Sequence, residues 1–199
     1  MKLFVAIGLI NFLFSHTAYN QISTAVFKPT INWVSLEEAL LMDSQDVIHL
    51  KLKKSKSGAI PKEIYQFTNL QSLSLSGMRL SELPDSIASF VKLIYLDVSK
   101  NELESLPLLF CELKSLEVLV LNRNPLAFLP YCLGELANLK AIDLWDTEVS
   151  TLPESLELSA TLKLVDFQGI ELRIEEQELL QKRFPKVKFR FDKPCNCFK

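Results

Sequence analysis

Histidine and glycine are scarce in this chain, with two His and five Gly in 199 residues. One histidine, His16, falls in an apolar leader segment, so His49 is the single imidazole expected in the processed protein. There is no HExxH pair, no paired Cys/His ligand set, no nucleophile motif and no phosphate-binding loop. Those absences argue against catalysis and leave no expected cofactor, catalytic residue or metal site. No Gly/Ser linker or low-complexity tract interrupts the chain. Charge of one sign is lacking too: 22 Lys and Arg stand against 24 Asp and Glu, a net charge of −2. Bulk basic character, the usual electrostatic footprint for nucleic acid, is therefore missing.

The first residues differ in composition from the rest. Lys2 gives a short positive start, Leu3 to Phe14 is apolar except for Asn11, and Ser15-His16-Thr17-Ala18 turns small and polar. This pattern reads as a secretory signal peptide over residues 1–18. The apolar run is too short for an ordinary spanning helix, so no stable membrane span is expected after its removal. No cysteine follows the run closely, which argues against a lipoprotein anchor. His16 would stand at an unfavourable place before a cut at Ala18, and the cleavage point stays open.

The remaining length, with 48% hydrophobic residues overall, suits one domain with a substantial core. Export would allow oxidised cysteines. Cys111 and Cys132 lie 21 residues apart, out of step with the repeat described next. A bridge between them is therefore not expected, and both read as small apolar side chains. Cys195-Asn196-Cys197 in the tail could close a short-loop disulfide, hold a metal with outside help, or stay reduced.

The stretches LDVSKNELESLP at 96–107 and LVLNRNPLAFLP at 119–130 nearly repeat each other at a shift of 23. Extending that period gives Leu70, Leu73, Leu75, Leu80 and Leu83-Pro84, then Leu93, Leu96, Val98, Asn101, Leu103 and Leu106-Pro107. Leu116, Leu119, Leu121, Asn124, Leu126 and Leu129-Pro130 follow, and then Leu139, Ile142, Leu144, Val149 and Leu152-Pro153. A looser copy starts at Val47, and a last one, from Leu162, soon departs from the pattern. Within a copy, Leu-x-Leu alternates with period two and predicts a short strand. After Leu-Pro, apolar residues recur every three, which predicts a helical or 3₁₀ return. One copy cannot bury its own leucines, whereas stacked copies can. The Asn position can satisfy backbone groups where the chain leaves the strand. Only Asn101 and Asn124 keep it; Ser55 and Thr147 can partly substitute, and Met78 and Ile170 cannot.

The pattern LxxLxLxxNxLxxLPxxLxxLxx resembles the leucine-rich repeat family, in its typical class, over residues 47–172. Ras-suppressor-like and secreted bacterial members look similar. The resemblance implies an α/β leucine-rich repeat solenoid, curved and right-handed. Its parallel sheet would line the concave face, with short helical or 3₁₀ segments on the convex face. It also implies that the sheet binds proteins.

Residues 19–46 read as an N-terminal lead and cap, because Ser35-Leu36-Glu37-Glu38 is a capping box that predicts a helix start. Residues 173–199 read as a C-terminal cap. Ile174 to Phe184 runs from acids to bases and is stopped by Pro185, and Val187 to Phe191 alternates as an edge strand. Caps at both ends predict a complete protein, and a monomer is expected.

Strand alternation selects the residues expected to face a partner: His49, Lys51, Lys53, Tyr95, Asp97, Val118, Val120, Asn122, Asp143, Trp145 and Asp166. An apolar centre at Tyr95, Val118, Val120 and Trp145 with a charged rim is the anatomy of a protein interface. Lys51, Lys53, Lys54 and Lys56 form a basic cluster at one end that could attract an anion. Asp143 and Asp166 fall at equivalent places on neighbouring strands, where an open face is expected to hydrate both and leave them ordinary. The sequence thus predicts an exported, non-enzymatic protein-binding module, secreted, periplasmic or at the cell surface. The alternative is a cytosolic scaffold or small-GTPase regulator with an uncleaved N-terminus.

Overall fold

The computed structural model describes residues 26–53 and 58–193. The expected signal peptide, Lys54, Ser55, Lys56 and the two tail cysteines lie outside the described residues. Seven three-residue strands form one parallel sheet in strict sequence order. They are β1 (His49–Lys51), β2 (Ser72–Ser74), β3 (Tyr95–Asp97), β4 (Val118–Val120), β5 (Ala141–Asp143), β6 (Leu164–Asp166) and β7 (Lys188–Arg190). The register advances by 23 residues per step through β6, pairing Leu50 with Leu73, Leu96, Leu119, Ile142 and Val165 in turn. This central row points into the core and is fully buried as far as Val165.

Each return is a 3₁₀ turn: Lys62–Gln66, Asp85–Ser89, Leu108–Glu112, Tyr131–Glu135 and Glu154–Leu158. Pro61, Pro84, Pro107, Pro130 and Pro153 stand just before them, and each proline carbonyl accepts the first turn hydrogen bond. Proline suits this place because it has no N–H to leave unpaired and its φ is already set. Ile64, Ile87, Phe110, Leu133 and Leu156, one in each turn, close the core from that side.

The asparagines work between copies. The Asn101 amide donates to the carbonyls of Val98 and Leu75, at 2.8 and 3.0 Å, and its oxygen accepts from Leu80 N. Asn124 repeats the set with Leu121, Val98 and Leu103 N. Thr147 keeps only the bond to Leu144 O, as a hydroxyl can. A second fixed position follows the strands. Gly77, Lys100, Arg123, Asp146 and Gly169 all have φ between 56 and 73°. Only the two glycines hold this left-handed backbone without a Cβ penalty.

Helix α1 (Leu36–Ala39) begins where the capping box places it: Ser35 Oγ accepts from Glu38 N, and the Glu38 carboxylate accepts from Ser35 N at 2.9 Å. At the other end, α2 (Ile174–Arg183) replaces the 3₁₀ turn, with Phe184 as its C-cap. Phe184, Phe189 and Phe191 then cover Phe167, so aromatic rings close the core after the last copy.

Cys111 and Cys132 are joined by a disulfide, contrary to the expectation of two unpaired apolar cysteines. Their Cα atoms are 5.9 Å apart. The physical reason is diagonal packing of the turns. The fourth residue of Leu108–Glu112 lies beside the second residue of Tyr131–Glu135. An offset of 21 is thus the register of neighbouring turns, while 23 is the register of strands. The same diagonal recurs one copy later. There a Cβ on Gly134 would lie 2.5 Å from Ser155 Cβ.

Candidate functional site on the sheet face

The strands place the expected residues on one face. The first outer row is His49, Ser72, Tyr95, Val118, Ala141, Leu164 and Lys188, and the second is Lys51, Ser74, Asp97, Val120, Asp143, Asp166 and Arg190. Lys51 and Lys53 are exposed; His49, Asp97 and Trp145 are half-buried. Tyr95, Val118, Val120, Asn122, Asp143 and Asp166 are buried.

The apolar centre is covered by the chain itself. Phe27 packs with Tyr95, Val118, Val120, Ala141 and Leu164 in a second apolar cluster, with Val26, Ile31 and Trp33 against its edge. The Trp33 and Tyr95 rings lie 6.0 Å apart, and Tyr95 Oη donates to the Phe27 carbonyl at 2.8 Å. Val34 then joins the sheet edge through a parallel bridge to Leu50. Sequence reasoning missed this arm because it belongs to no repeat. The signal available was its own composition, with Val26, Phe27, Ile31 and Trp33 close together in the lead.

The aspartates form a recurring device. Asp97, Asp143 and Asp166 each accept, through Oδ1, from the backbone N–H two residues on, Ser99, Trp145 and Gln168, all at 3.0 Å. Each therefore caps the end of its strand. Their second oxygens take different partners. Ser74 Oγ donates to Asp97, Asn122 Nδ2 to Asp143 at 2.6 Å, and Arg190 to Asp166 at 2.6 Å.

Hydration does not leave Asp143 and Asp166 ordinary. Asp143 is 5% exposed, and burial pushes its carboxyl up from 3.8 to about 6 against the bonds from Trp145 N and Asn122. Burial also raises Asp166, opposed by the Gln168 N–H and the Arg190 charge. Burial raises the Tyr95 phenol as well, with Asp97 and Asp143 adding to the effect. His49 is moved down by burial, and its buried Nδ1 has no hydrogen-bond partner among the described residues.

Beside the arm, Arg123 stacks on the Trp145 ring at 4.3 Å and pairs with Asp146 at 3.8 Å. These three residues, with Lys51, Lys53 and Asp97, are among the reachable polar and aromatic groups around the covered centre. Among the described residues, no cluster of three or more His, Cys, Asp or Glu is placed to hold a metal, and no helix is long and apolar enough to cross a membrane.

A parallel sheet in sequence order, 3₁₀ returns and an asparagine ladder define a repeat solenoid of the interaction-scaffold class. Residues 68–126 match the family model described as leucine rich repeat. A solved leucine-rich repeat protein of Leptospira interrogans has a similar fold, with a TM-score of 0.62 and 26% identity over 80% of this chain and 47% of that one. The chain thus spans about half the length of that structure. No curated protein matches the sequence. Residues 68–126 are thus leucine-rich repeats, and the described residues share the leucine-rich repeat fold.

Proposed function

We propose that this chain is an exported, non-enzymatic module that binds a protein partner on its concave sheet. The observation that carries the reading is that the face already holds a peptide. The arm around Phe27 and Trp33 lies across β3 to β6, anchored by one aromatic side chain and one Tyr95 hydrogen bond. A partner engages the groups left beside it, Lys51, Lys53, Asp97 and the Arg123–Trp145 stack. These groups sit on strands and strand ends of a close-packed core, so little freedom is lost on binding.

Two observations support the accompanying claims. Disulfides persist mainly in oxidising compartments, so the bridge between neighbouring copies supports export over a cytosolic scaffold. The buried carboxylates are already committed as strand-end caps and to Asn122 and Arg190, which favours a structural role over acid–base chemistry.

The experiment isolates a partner from the extracellular fraction of the native host and measures its affinity for the wild type, Trp145→Ala and Lys51→Glu. Loss of at least about tenfold is expected for Trp145→Ala, as for an interfacial aromatic anchor. Unchanged affinity for both variants removes this face as the binding surface. N-terminal sequencing of the native protein decides the export claim separately, because an intact Met1 defeats it.

A further inference from the structure

On the turn side of the solenoid, opposite the sheet, the outward positions recur once in every copy. One row runs Lys62, Asp85, Leu108, Tyr131 and Glu154, the first residues of the five 3₁₀ turns. A second, just before each Leu-Pro, holds Glu82, Ser105, Phe128 and Thr151. All of these residues are exposed. Polar residues at most of these places show that packing does not require an apolar one there. In the two central copies, however, Leu108 and Phe128 are each 79% exposed, Tyr131 is 71% exposed and Leu109 is 48% exposed. Leu108 and Tyr131 open the two turns that Cys111–Cys132 joins, Cys132 Sγ lies 3.8 Å from the Leu108 carbonyl oxygen, and Phe128 stands three residues before Tyr131. Large apolar groups gathered in this way mark contact surfaces, whereas single ones do not.

Two further features belong to the same place. The turns that carry the patch are the two joined by Cys111–Cys132, so their relative position is fixed before any partner arrives. The patch is also flanked by carboxylates within its own row, Asp85 on one side and Glu154 on the other, with Glu82 and Glu104 close by in sequence. None of these four takes part in an ion pair among the described residues. Of the nearby bases, Lys114 is paired with Glu135, Arg183, which reaches Thr151 in the second row, is paired with Glu157, and Lys62 lies one copy beyond Asp85. An apolar centre with an acidic rim is complementary to an apolar centre with a basic rim.

We propose that Leu108, Leu109, Phe128 and Tyr131 form a second docking surface, for a protein segment that carries apolar anchors between lysine or arginine side chains. It is independent of the concave face and lies on the opposite side of the core.

The test is selection of random short peptides, displayed on phage, against three immobilised proteins: wild type, Phe128→Ser/Tyr131→Ser, and Asp85→Lys/Glu154→Lys. All four positions are exposed, so the variants should fold, and thermal unfolding checks that they do. The expected result is enrichment of peptides that combine aromatic or aliphatic residues with Lys or Arg. Their affinity should fall at least about tenfold on either double variant and weaken with added salt. Enrichment of peptides without basic residues, equal binding to all three proteins, or no enrichment overturns the proposal. Sedimentation of the wild type and the Phe128→Ser/Tyr131→Ser variant adds one more arm. A dimer present only in the wild type identifies the occupant as a second copy and overturns the basic-segment reading. Trp145→Ala, which leaves this patch untouched, must bind the selected peptides as the wild type does.

Discussion

The hydroxyl of Tyr95 donates to the backbone carbonyl of Phe27 at 2.8 Å, across 68 positions of sequence. That bond is buried, and it joins the third strand to an arm that forms no strand of the sheet. Removing the donor leaves a buried carbonyl unsatisfied. Tyr95→Phe is expected to cost about 1–3 kcal/mol and to loosen the arm first. Hydrogen exchange checks this. Amides near Phe27 and Trp33 should lose protection while those of β4 and β5 keep theirs, and equal loss everywhere would show that the arm and sheet unfold together.

The Cys111–Cys132 bridge closes a loop of 21 residues. Chain-entropy reasoning assigns such a loop about 3 kcal/mol of stabilisation, chiefly through the unfolded state. The double variant Cys111→Ala/Cys132→Ala should therefore unfold at lower urea concentration by that amount. Added reductant should lower the wild type to the same level. A variant as stable as the oxidised wild type would mean that the bridge only decorates a turn pair already held by packing.

Asp143 gives the fold a predicted pH response. Its carboxyl holds the proton more tightly in the folded state, at about 6, than in the unfolded chain, near 3.8. Its share of stability is thus fully present below about pH 4 and is lost as pH rises through about 6. Asp143→Asn keeps an oxygen for the Trp145 N–H, and Asn122 can turn its amide to match the new side chain. Relative to the wild type, the variant should gain about 2–3 kcal/mol at neutral pH, and the gain should vanish below about pH 4. Urea unfolding across that range measures it, and a difference that does not change with pH would mean Asp143 titrates normally.

The solenoid could be read from the sequence because leucines and Leu-Pro pairs recur at one spacing, and the strand register and the Asn101 and Asn124 ladder follow directly from it. The site was only half readable. Alternation places Tyr95, Val118 and Val120 on the outer face of the sheet, but it does not report what lies across that face. The arm at Phe27 is joined to it by contacts with no local signature. The disulfide escaped for a different reason: aligning copies at the strand spacing hides the diagonal along which the turns meet. Gly134 beside Ser155 was the clue, since it marks the same diagonal at a place where even a methyl group would collide. The burial of Asp143 likewise depends on its neighbours across the sheet and not on its place in the repeat.

The ladder also gives the molecule a grain. Asn101 and Asn124 each look backward, serving the carbonyl and N–H of the copy before their own. Losing one unties the preceding coil while leaving the following one provisioned, so injury should travel toward the first strand and stall on the way to the last. Thr147, which reaches only within its own coil, is where that backward dependence is cut.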